Sequence, residues 1–181
     1  RILEETLRLV AHEGWYGLSF QMIAKKCKIS TSNIVYHFES RDSLLKALLE
    51  RISINNYSIV SESVKLEDNA YQRILNHFNK NLEWGKQFPE EAQIVIQIYL
   101  EASHNKEFSP LFIGMIQRAQ DRIREHILAG IREGIFKPSL DPIVLARLLH
   151  NILIGAFIYI MGTRLTGIIE TSQQDWEDTL K

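Results

Sequence analysis

Cysteine is nearly absent from this chain of 181 residues, which carries a single one, Cys27. No disulfide can form within the chain, and a free thiol is typical of a reducing compartment. Because buried free cysteine is common, we interpret Cys27 as a compact apolar core residue rather than a redox group. The net charge is also small, at −1. This near-neutral balance argues against a protein that coats nucleic acid without sequence preference.

Long apolar runs are missing as well. The longest, from Ile152 to Met161, has ten residues, whereas a helix needs about 20 to span a bilayer. We therefore expect a buried helix and no membrane partner. No charged segment followed by an apolar leader opens the chain, and we expect a cytoplasmic protein. Since the chain begins at Arg1 within a helical pattern, we also expect an extension before it.

The signatures of common catalytic and metal sites are absent from the sequence. It contains no HExxH pair, no CxxC, no glycine-rich phosphate loop and no GxSxG elbow. The histidines are scattered along the chain: His12, His37, His77, His104, His126 and His150. The sequence therefore predicts a protein that is not an enzyme and that needs no metal or cofactor.

The segment Ser19–Phe38 is the most informative part of the sequence. It contains two short pieces with helical periodicity, Phe20–Cys27 and Thr31–Phe38, separated by three residues. Ser19 and Ser30 each precede one piece, where a hydroxyl can accept a hydrogen bond from an unpaired amide of the first turn. The spacing predicts two helices joined by a tight turn and crossing steeply.

The apolar and polar positions of this segment fall on different faces. The apolar positions that can share one small core are Ile23, Cys27, Ile29, Ile34 and Phe38. Ala24 lies where the helices would approach most closely. The outward residues carry hydrogen-bonding groups and none is acidic: Gln21, Lys25, Lys28, Thr31, Ser32, Asn33, Tyr36 and His37. Such a face suits the major groove of DNA and predicts a helix-turn-helix.

The first 49 residues resemble the N-terminal domain of the tetracycline-repressor (TetR) family of bacterial transcriptional regulators. The matching marks are the Arg1-Ile2-Leu3 opening, Glu13-Gly14-Trp15, Ser19, Ile23-Ala24, Ile29-Ser30, Tyr36-His37-Phe38, Ser40-Arg41 and Leu44-Leu45. Two positions depart from the family pattern, because Lys28 stands where glycine is usual in the turn and Val35 where tyrosine is usual. Gly130–Gly155 also resembles the last third of many members.

The resemblance implies roles for particular residues in binding DNA. Those expected to reach base edges or the adjacent backbone are Thr31, Ser32, Asn33 and Tyr36. Those expected mainly to hold phosphates are Gln21, His37 and Arg41. The chain's charge agrees in sign, since residues 1–51 hold eight Lys or Arg against six Asp or Glu, and residues 52–181 hold thirteen against sixteen. An offset of this size also arises by chance.

The sequence predicts an all-α fold. A three-helix helix-turn-helix domain would be joined by a long helix to a helical domain that binds an effector and dimerises, with domains at 1–51 and 52–181. The long helix begins at Arg41, and no flexible linker follows it. Later helices are predicted at Ala70–Gln87, from Pro89 to about His104, from Ser109-Pro110 to about Ile135, from Pro142 to Arg164, and after Ser172.

Aromatic and pliable apolar residues of the second domain suggest a cavity for a small, mostly apolar effector. The residues proposed to line it are His77, Phe78, Asn81, Trp84, Tyr99, Phe112, Met115, His150 and Phe157. His77, Asn81 and His150 would orient the ligand. The alternative is that each aromatic is an ordinary core residue, and the sequence leaves both interpretations open.

The helix from Pro142 is apolar nearly all round. One face can pack on its own domain, and the other predicts a two-fold homodimer formed with the helix after Ser172. The residues proposed for this interface are Leu148, Ile152, Gly155, Tyr159 and Gly162. The alternative is a helix wrapped completely by its own domain.

These observations together predict a ligand-responsive regulator that binds a palindromic operator in double-stranded DNA as a homodimer. Repression relieved by the effector is the outcome that the resemblance implies. The alternative is a helical adaptor whose helix-turn-helix packs against protein, which would not explain the polar, non-acidic outward face. Salt-dependent binding to DNA discriminates the two hypotheses.

Overall fold

The computed structural model describes residues 1–62, 69–104, 106 and 108–163, and for residues 160, 162 and 163 it describes the backbone alone. Eight α-helices and no strand are found in these residues. The helices are α1 Ile2–Glu13, α2 Phe20–Cys27, α3 Thr31–His37, α4 Arg41–Glu62, α5 Ala70–Gln87, α6 Pro89–Glu101, α7 Ser109–Arg132 and α8 Pro142–Thr163. The predicted all-α fold is confirmed. The helix predicted after Ser172 and the end of α8 at Arg164 lie outside the described residues.

Several helices begin where a side chain can accept a hydrogen bond from the first turn. The Ser19 hydroxyl accepts from the Met22 amide at 3.3 Å and the Ser30 hydroxyl from the Asn33 amide at 3.3 Å. At the start of α8 the Asp141 carboxylate accepts from the Ile143 amide at 2.9 Å. Such caps satisfy amides that the helix itself leaves free. They explain why these starts could be predicted.

The long helix α4 begins with a reciprocal cap. The Ser43 amide donates to the Ser40 hydroxyl at 3.1 Å, and the Ser40 amide donates to the Ser43 hydroxyl at 3.2 Å. This arrangement is a capping box in which serine replaces the usual glutamate. The orientation of α4 relative to α3 is therefore fixed by local bonds across the short break at Glu39 and Ser40.

Helix α7 begins at Ser109, as the Ser109-Pro110 pair predicts. Ser109 is the first helical residue rather than the cap, and its hydroxyl donates to the Ala102 carbonyl at 3.4 Å. The preceding residue, Phe108, is buried against Trp15 and provides no side-chain cap. Packing of an aromatic ring decides the start of this helix rather than capping.

We call residues 1–51 the head and residues 52–163 the body. Helix α4 runs through both, because Leu44, Leu45 and Leu48 are buried in the head whereas Ile52, Asn56 and Val60 are buried in the body. In the body, α5 packs against α4 and α7, and α7 packs along α8. A continuous helix with buried residues at both ends gives a stiff connection between the two regions.

Helix α8 has one buried face and one exposed face. Leu149, Leu153 and Phe157 are buried against the body, whereas Ile143, Leu148 and Ile152 are about half exposed. The window Pro142–Tyr159, with mean hydropathy 1.6, is long and apolar enough to cross a membrane. A helix that packs one face on a soluble core meets the same criterion, so this finding is weak on its own.

Candidate DNA-binding face and effector cavity

The turn between α2 and α3 is built around a left-handed residue. Lys28 ends α2 with φ 54° and ψ 46°, a conformation that glycine adopts at lower cost. The Ile29 amide donates to the Ala24 carbonyl at 3.1 Å, and the Lys28 amide to the Lys25 carbonyl at 3.3 Å. A lysine here costs about 1 kcal/mol relative to glycine, and the turn nevertheless keeps its regular pattern of hydrogen bonds.

The core beneath the turn matches the sequence prediction. Ile23, Cys27 and Ile34 have no exposed surface, and Ala24 is buried at the crossing of the two helices. Ile29 and Phe38 lie at the edge of this core, half buried. Burial raises the pKa of the Cys27 thiol, which keeps it protonated and unreactive. The crossing of α2 and α3 therefore depends on a small, closely packed apolar cluster.

The outward face of α3 is open to solvent. Tyr36 is 84% exposed, the largest value among the exposed large hydrophobic residues. Ser32, Asn33, His37 and Gln21 are also exposed. No acidic residue lies in α2 or α3. This face can therefore approach the phosphates and base edges of DNA without charge repulsion.

Two of the residues predicted to contact DNA are partly buried. Thr31 and Arg41 are half buried, and they line a shallow depression between the starts of α2, α3 and α4 with Gln21 and Val35. The Arg41 Nε atom is shielded from solvent and has no hydrogen-bond partner in the described part of the chain. The structure thus brings Gln21, Thr31 and Arg41 together at this depression, and it leaves the other four predicted DNA-binding residues exposed on α3.

The body contains a cavity of about 430 Å³ that is lined by α4, α5, α6, α7 and α8 and is partly open to solvent. A volume of this size is typical of small-molecule sites. Seven residues proposed from the sequence line it: His77, Asn81, Trp84, Tyr99, Met115, His150 and Phe157. Trp84 and Phe157 form one aromatic wall, with their rings edge to face and centroids 6.0 Å apart.

Two other residues proposed for the cavity lie elsewhere. Phe78 has no exposed surface and belongs to the packed core on α5. Phe112 contacts the cavity residue Tyr99 from outside, edge to face with centroids 4.9 Å apart. Helical spacing cannot show which of two adjacent positions on α5 faces the cavity, and His77 takes that position.

A chain of polar side chains crosses the cavity wall, and sequence analysis missed half of it. Arg122 on α7 donates from Nη2 to the Asn56 Oδ1 atom at 3.4 Å, and Asn56 donates from Nδ2 to Asn81 Oδ1 at 3.0 Å. Asn81 donates in turn to the His77 carbonyl at 2.7 Å. Tyr57 lies beside Arg122, whose guanidinium carbon is 5.6 Å from the ring centroid. This network joins α4, α5 and α7 at the cavity wall.

Burial keeps the two cavity histidines neutral near pH 7. Removal from water lowers the pKa of His77 to about 3, and the Arg122 charge lowers it further. Burial and Arg122 likewise lower the pKa of His150 to about 4. His150 Nε2 shares a hydrogen bond of 2.7 Å with the Tyr99 hydroxyl, whose pKa burial raises above its ordinary value. The Tyr99–His150 pair is thus an uncharged hydrogen-bonding group in an apolar wall.

Helix α6 separates the cavity from the head and contacts both. Val95 and Tyr99 line the cavity. From the same helix, the Gln93 side chain donates from Nε2 to the Ala11 carbonyl of α1 at 2.9 Å. Glu101 accepts a hydrogen bond of 2.5 Å from the Tyr16 hydroxyl. A ligand that moves α6 would therefore move the contacts that hold the head.

The residues proposed for a dimer lie on the exposed face of α8. Leu148, Ile152 and Tyr159 are about half exposed, and the space around Gly155 is open. Gly162 lies on the same helix, but its surroundings are outside the described part of the structure. Arg147 and Asn151 share the exposed face. The apolar stripe is therefore interrupted by polar groups, which a protein surface accommodates better than hydrocarbon does.

Comparison with known proteins identifies the head. Residues 2–48 match the family model of bacterial regulatory proteins, tetR family. An uncharacterised HTH-type transcriptional regulator in the dhlA 5' region of Xanthobacter autotrophicus is 41% identical over 51 residues, which is 28% of this chain and 25% of that protein. The aligned segment thus spans about a quarter of the length of this relative.

Solved structures match the whole fold. FadR from Bacillus subtilis, in complex with stearoyl-CoA, aligns with a TM-score of 0.86 at 14% identity and covers 99% of this chain and 95% of that chain. AibR, in complex with isovaleryl coenzyme A and operator DNA, aligns with a TM-score of 0.72 at 21% identity and covers 95% of this chain and 94% of that chain. At these identities the likeness shows a common fold.

Proposed function

We propose that this chain, a TetR-family transcriptional regulator by its N-terminal domain, is a cytoplasmic repressor that binds a palindromic operator as a homodimer and is released by a small molecule. One observation carries the proposal: α4 is a single helix that begins beside the outward face of α3 and also lines the cavity of the body. The ligands and operator DNA in the FadR and AibR structures support a fold that accommodates both kinds of partner.

The DNA-binding role rests on the exposed polar face of the head. We assign base-edge or adjacent backbone contacts to Thr31, Ser32, Asn33 and Tyr36, and phosphate contacts mainly to Gln21, His37 and Arg41. The exposure of Tyr36 supports this assignment, because a large aromatic side chain left 84% exposed has no role in packing its own domain. The boundary between the DNA-binding and effector-binding domains is proposed near residue 51, within α4.

Release by a ligand would follow from contacts that the cavity shares with the head. Ile52 and Asn56 line the cavity from α4, and Tyr99 lines it from α6. A ligand that fits only one arrangement of these helices shifts the population toward that arrangement by its differential binding free energy. We expect the favoured arrangement to separate the two heads of the dimer to a spacing that no longer matches successive major grooves, about 34 Å apart.

The homodimer explains the exposed face of α8. A second copy packed on Leu148, Ile152, Gly155 and Tyr159 would bury this stripe, and the open space at Gly155 would let the two helices approach closely. A membrane is a poorer partner, because Arg147 and Asn151 share the exposed face. Light scattering of the purified chain without detergent discriminates these partners.

The direct experiment is selection of DNA fragments by the purified chain, followed by anisotropy titration of the enriched fragment. We expect an enriched palindrome, affinity that falls steeply with salt, and two chains per site. A chain that enriches no sequence and binds random DNA no better at low salt than at moderate salt would contradict the proposal. It would instead favour a helical adaptor that binds protein.

A further inference from the structure

Arg122 is the one cationic side chain of the cavity wall that lies within the polar network. Its Nε atom is shielded from solvent and has no hydrogen-bond partner among the described residues. Its Nη2 atom makes a long bond of 3.4 Å to Asn56, and its guanidinium lies beside the Tyr57 ring. No carboxylate in the described part of the chain pairs with it. Arg124 and Arg73 differ, since Asp121 pairs with the first at 3.0 Å and Glu133 with the second.

This arrangement is unfavourable for a charged side chain. An arginine stays charged in proteins, and removing its charge from water without a counterion is unfavourable. Burial accordingly lowers the pKa of Arg122, and the neighbouring Arg118 adds to this effect. Asn56 supplies an amide oxygen but no negative charge. An anion in the cavity would therefore gain both an ion pair and the hydrogen-bond donor that now lacks a partner.

The rest of the wall limits the charge of such an anion. His77, His150 and Tyr99 are neutral near pH 7, and Arg118 is exposed at the edge of the cavity. Asp121, the acidic residue of the wall, is 55% exposed and paired with Arg124. One buried positive charge balances one negative charge. A planar guanidinium matches a carboxylate with two parallel hydrogen bonds, whereas a doubly charged phosphate would remain under-compensated.

We propose that the effector is an amphiphilic monocarboxylate whose carboxylate pairs with Arg122 and whose apolar body lies against Trp84, Leu153 and Phe157. This inference rests on the proposed function and names the class of its ligand. Trp84 and Phe157 line the cavity from α5 and α8, and Arg122 lines it from α7. The Tyr99–His150 pair offers an uncharged group to a further oxygen of the ligand.

The same contact gives the ligand a direct connection to α4. A carboxylate at Arg122 competes with Asn56 for Nη2, which frees Asn56 and changes the surroundings of Tyr57. Both residues lie one to two turns beyond the part of α4 that is buried in the head. Binding at Arg122 therefore acts on the helix that positions the DNA-binding face.

Calorimetry with the full chain tests the charge of the ligand. Straight-chain carboxylates from hexanoate to dodecanoate are titrated beside the amide of equal length, and decyltrimethylammonium serves as the cation. We expect the best carboxylate to bind roughly tenfold to a hundredfold more tightly than its amide, as a charge-assisted pair should, and the cation not to bind. Equal binding of every acid and amide, or no binding by any acid, would overturn the proposal.

Substitution then tests the position of the charge. Arg122→Gln should bind acid and amide with equal affinity, whereas Arg124→Gln, a matched change on the same helix, should keep the preference for the acid. A preference that survives in Arg122→Gln would overturn the assignment. If Arg122→Gln fails to fold, the acid and amide titrations of the unaltered chain still decide. Carboxylate binding through Arg122 without any change in operator affinity would contradict release by the ligand and leave this inference standing.

Discussion

The two ends of α4 present polar groups in opposite ways. Beside its start, the head directs Ser32, Asn33 and Tyr36 outward, where they are exposed to solvent. Farther along, Asn56 is 8% exposed and bonded to Asn81 and Arg122 inside the body. The polar groups of the head are exposed and lie close together in sequence, whereas those of the body form a network between residues far apart in the chain. If the proposed roles are right, recognition of DNA depends on local sequence and recognition of a ligand on distant parts of the chain.

The largest expected effect is the loss of operator affinity when a substitution in the body blocks the proposed dimer interface. Gly155→Trp adds a large ring at a position where the protomer has open space, so the chain should fold normally while the dimer interface is blocked. Loss of the second DNA-binding head should weaken operator binding by roughly 10² to 10⁴. Light scattering and operator anisotropy measure the two effects.

Gly155→Ala is the matched control for this prediction, because a methyl group also meets no atom within 4 Å. It should leave the dimer and the operator affinity unchanged. A Gly155→Trp chain that stays dimeric would contradict the assignment of the dimer interface to the exposed face of α8. A monomer that still binds the palindrome tightly would contradict the need for a second DNA-binding head.

The second expected effect is a loss of stability at acidic pH, and it arises from two histidines of the body. The folded pKa values of His77 and His150, about 3 and about 4, lie below the value near 6.5 of an unfolded histidine. As pH falls, the unfolded chain therefore takes up protons first. The stability contribution is fully present above pH 6.5 and is lost as pH falls from 6.5 toward 4. At pH 5 each histidine should cost about 2 kcal/mol of the free energy of unfolding.

Urea unfolding at pH 7 and pH 5 measures this loss. His77→Gln should reduce the difference between the two pH values, and His104→Gln, a change at an exposed position, should not. An unaltered chain with equal stability at both pH values would show that the cavity histidines reach water in the native state.

A third prediction concerns the head alone. Tyr36→Ala should weaken operator binding by about 1 to 3 kcal/mol, the usual value of a good specific contact. Because Tyr36 is exposed and far from the cavity, stability and ligand affinity should not change. Tyr36→Phe separates the hydroxyl from the ring, since it removes the hydrogen-bonding group alone. Unchanged affinity in both Tyr36→Ala and Arg41→Ala, with folding intact by circular dichroism, would contradict the DNA-binding assignment.

The smallest expected effect is on the coupling between the head and the body. Gln93→Ala removes the hydrogen bond from α6 to the Ala11 carbonyl, which is worth about 1 kcal/mol. Operator affinity without ligand and ligand affinity without DNA should change little. The factor by which the cavity ligand lowers operator affinity should fall, because the contact couples α6 to α1. Coupling equal to that of the unaltered chain would assign transmission to α4 alone.

Most of the fold could be predicted, because the signals are local. Ser19, Ser30 and Asp141 mark helix starts by caps that act within three residues. Lys28 marks the turn, although its side chain does not favour the left-handed conformation. The start of α7 at Ser109 was predicted, but its cap was not, because Phe108 precedes the helix and packs against Trp15, more than ninety positions earlier in the chain. Prediction from neighbouring residues fails where contact with a distant residue determines the local structure.

The ligand site was harder to predict for the same reason. Aromatic residues such as Trp84 and Phe157 indicate an apolar pocket by type. Arg122 and Asn56 have no such signal, because a polar residue on a helix is usually exposed, and the packing of α5 against both α4 and α7 is what brings this pair together and shields it from solvent. Their spacing in sequence, 66 positions, carries no local pattern.

Linkage between the two ends of α4 is the central claim, and one titration tests it most directly. Operator affinity is measured by anisotropy with and without a saturating carboxylate that binds the cavity, and carboxylate affinity is measured with and without operator. We predict that each ligand weakens the other by the same factor, roughly fivefold or more, as thermodynamic linkage requires. A carboxylate that fills the cavity while operator affinity stays the same would contradict the account.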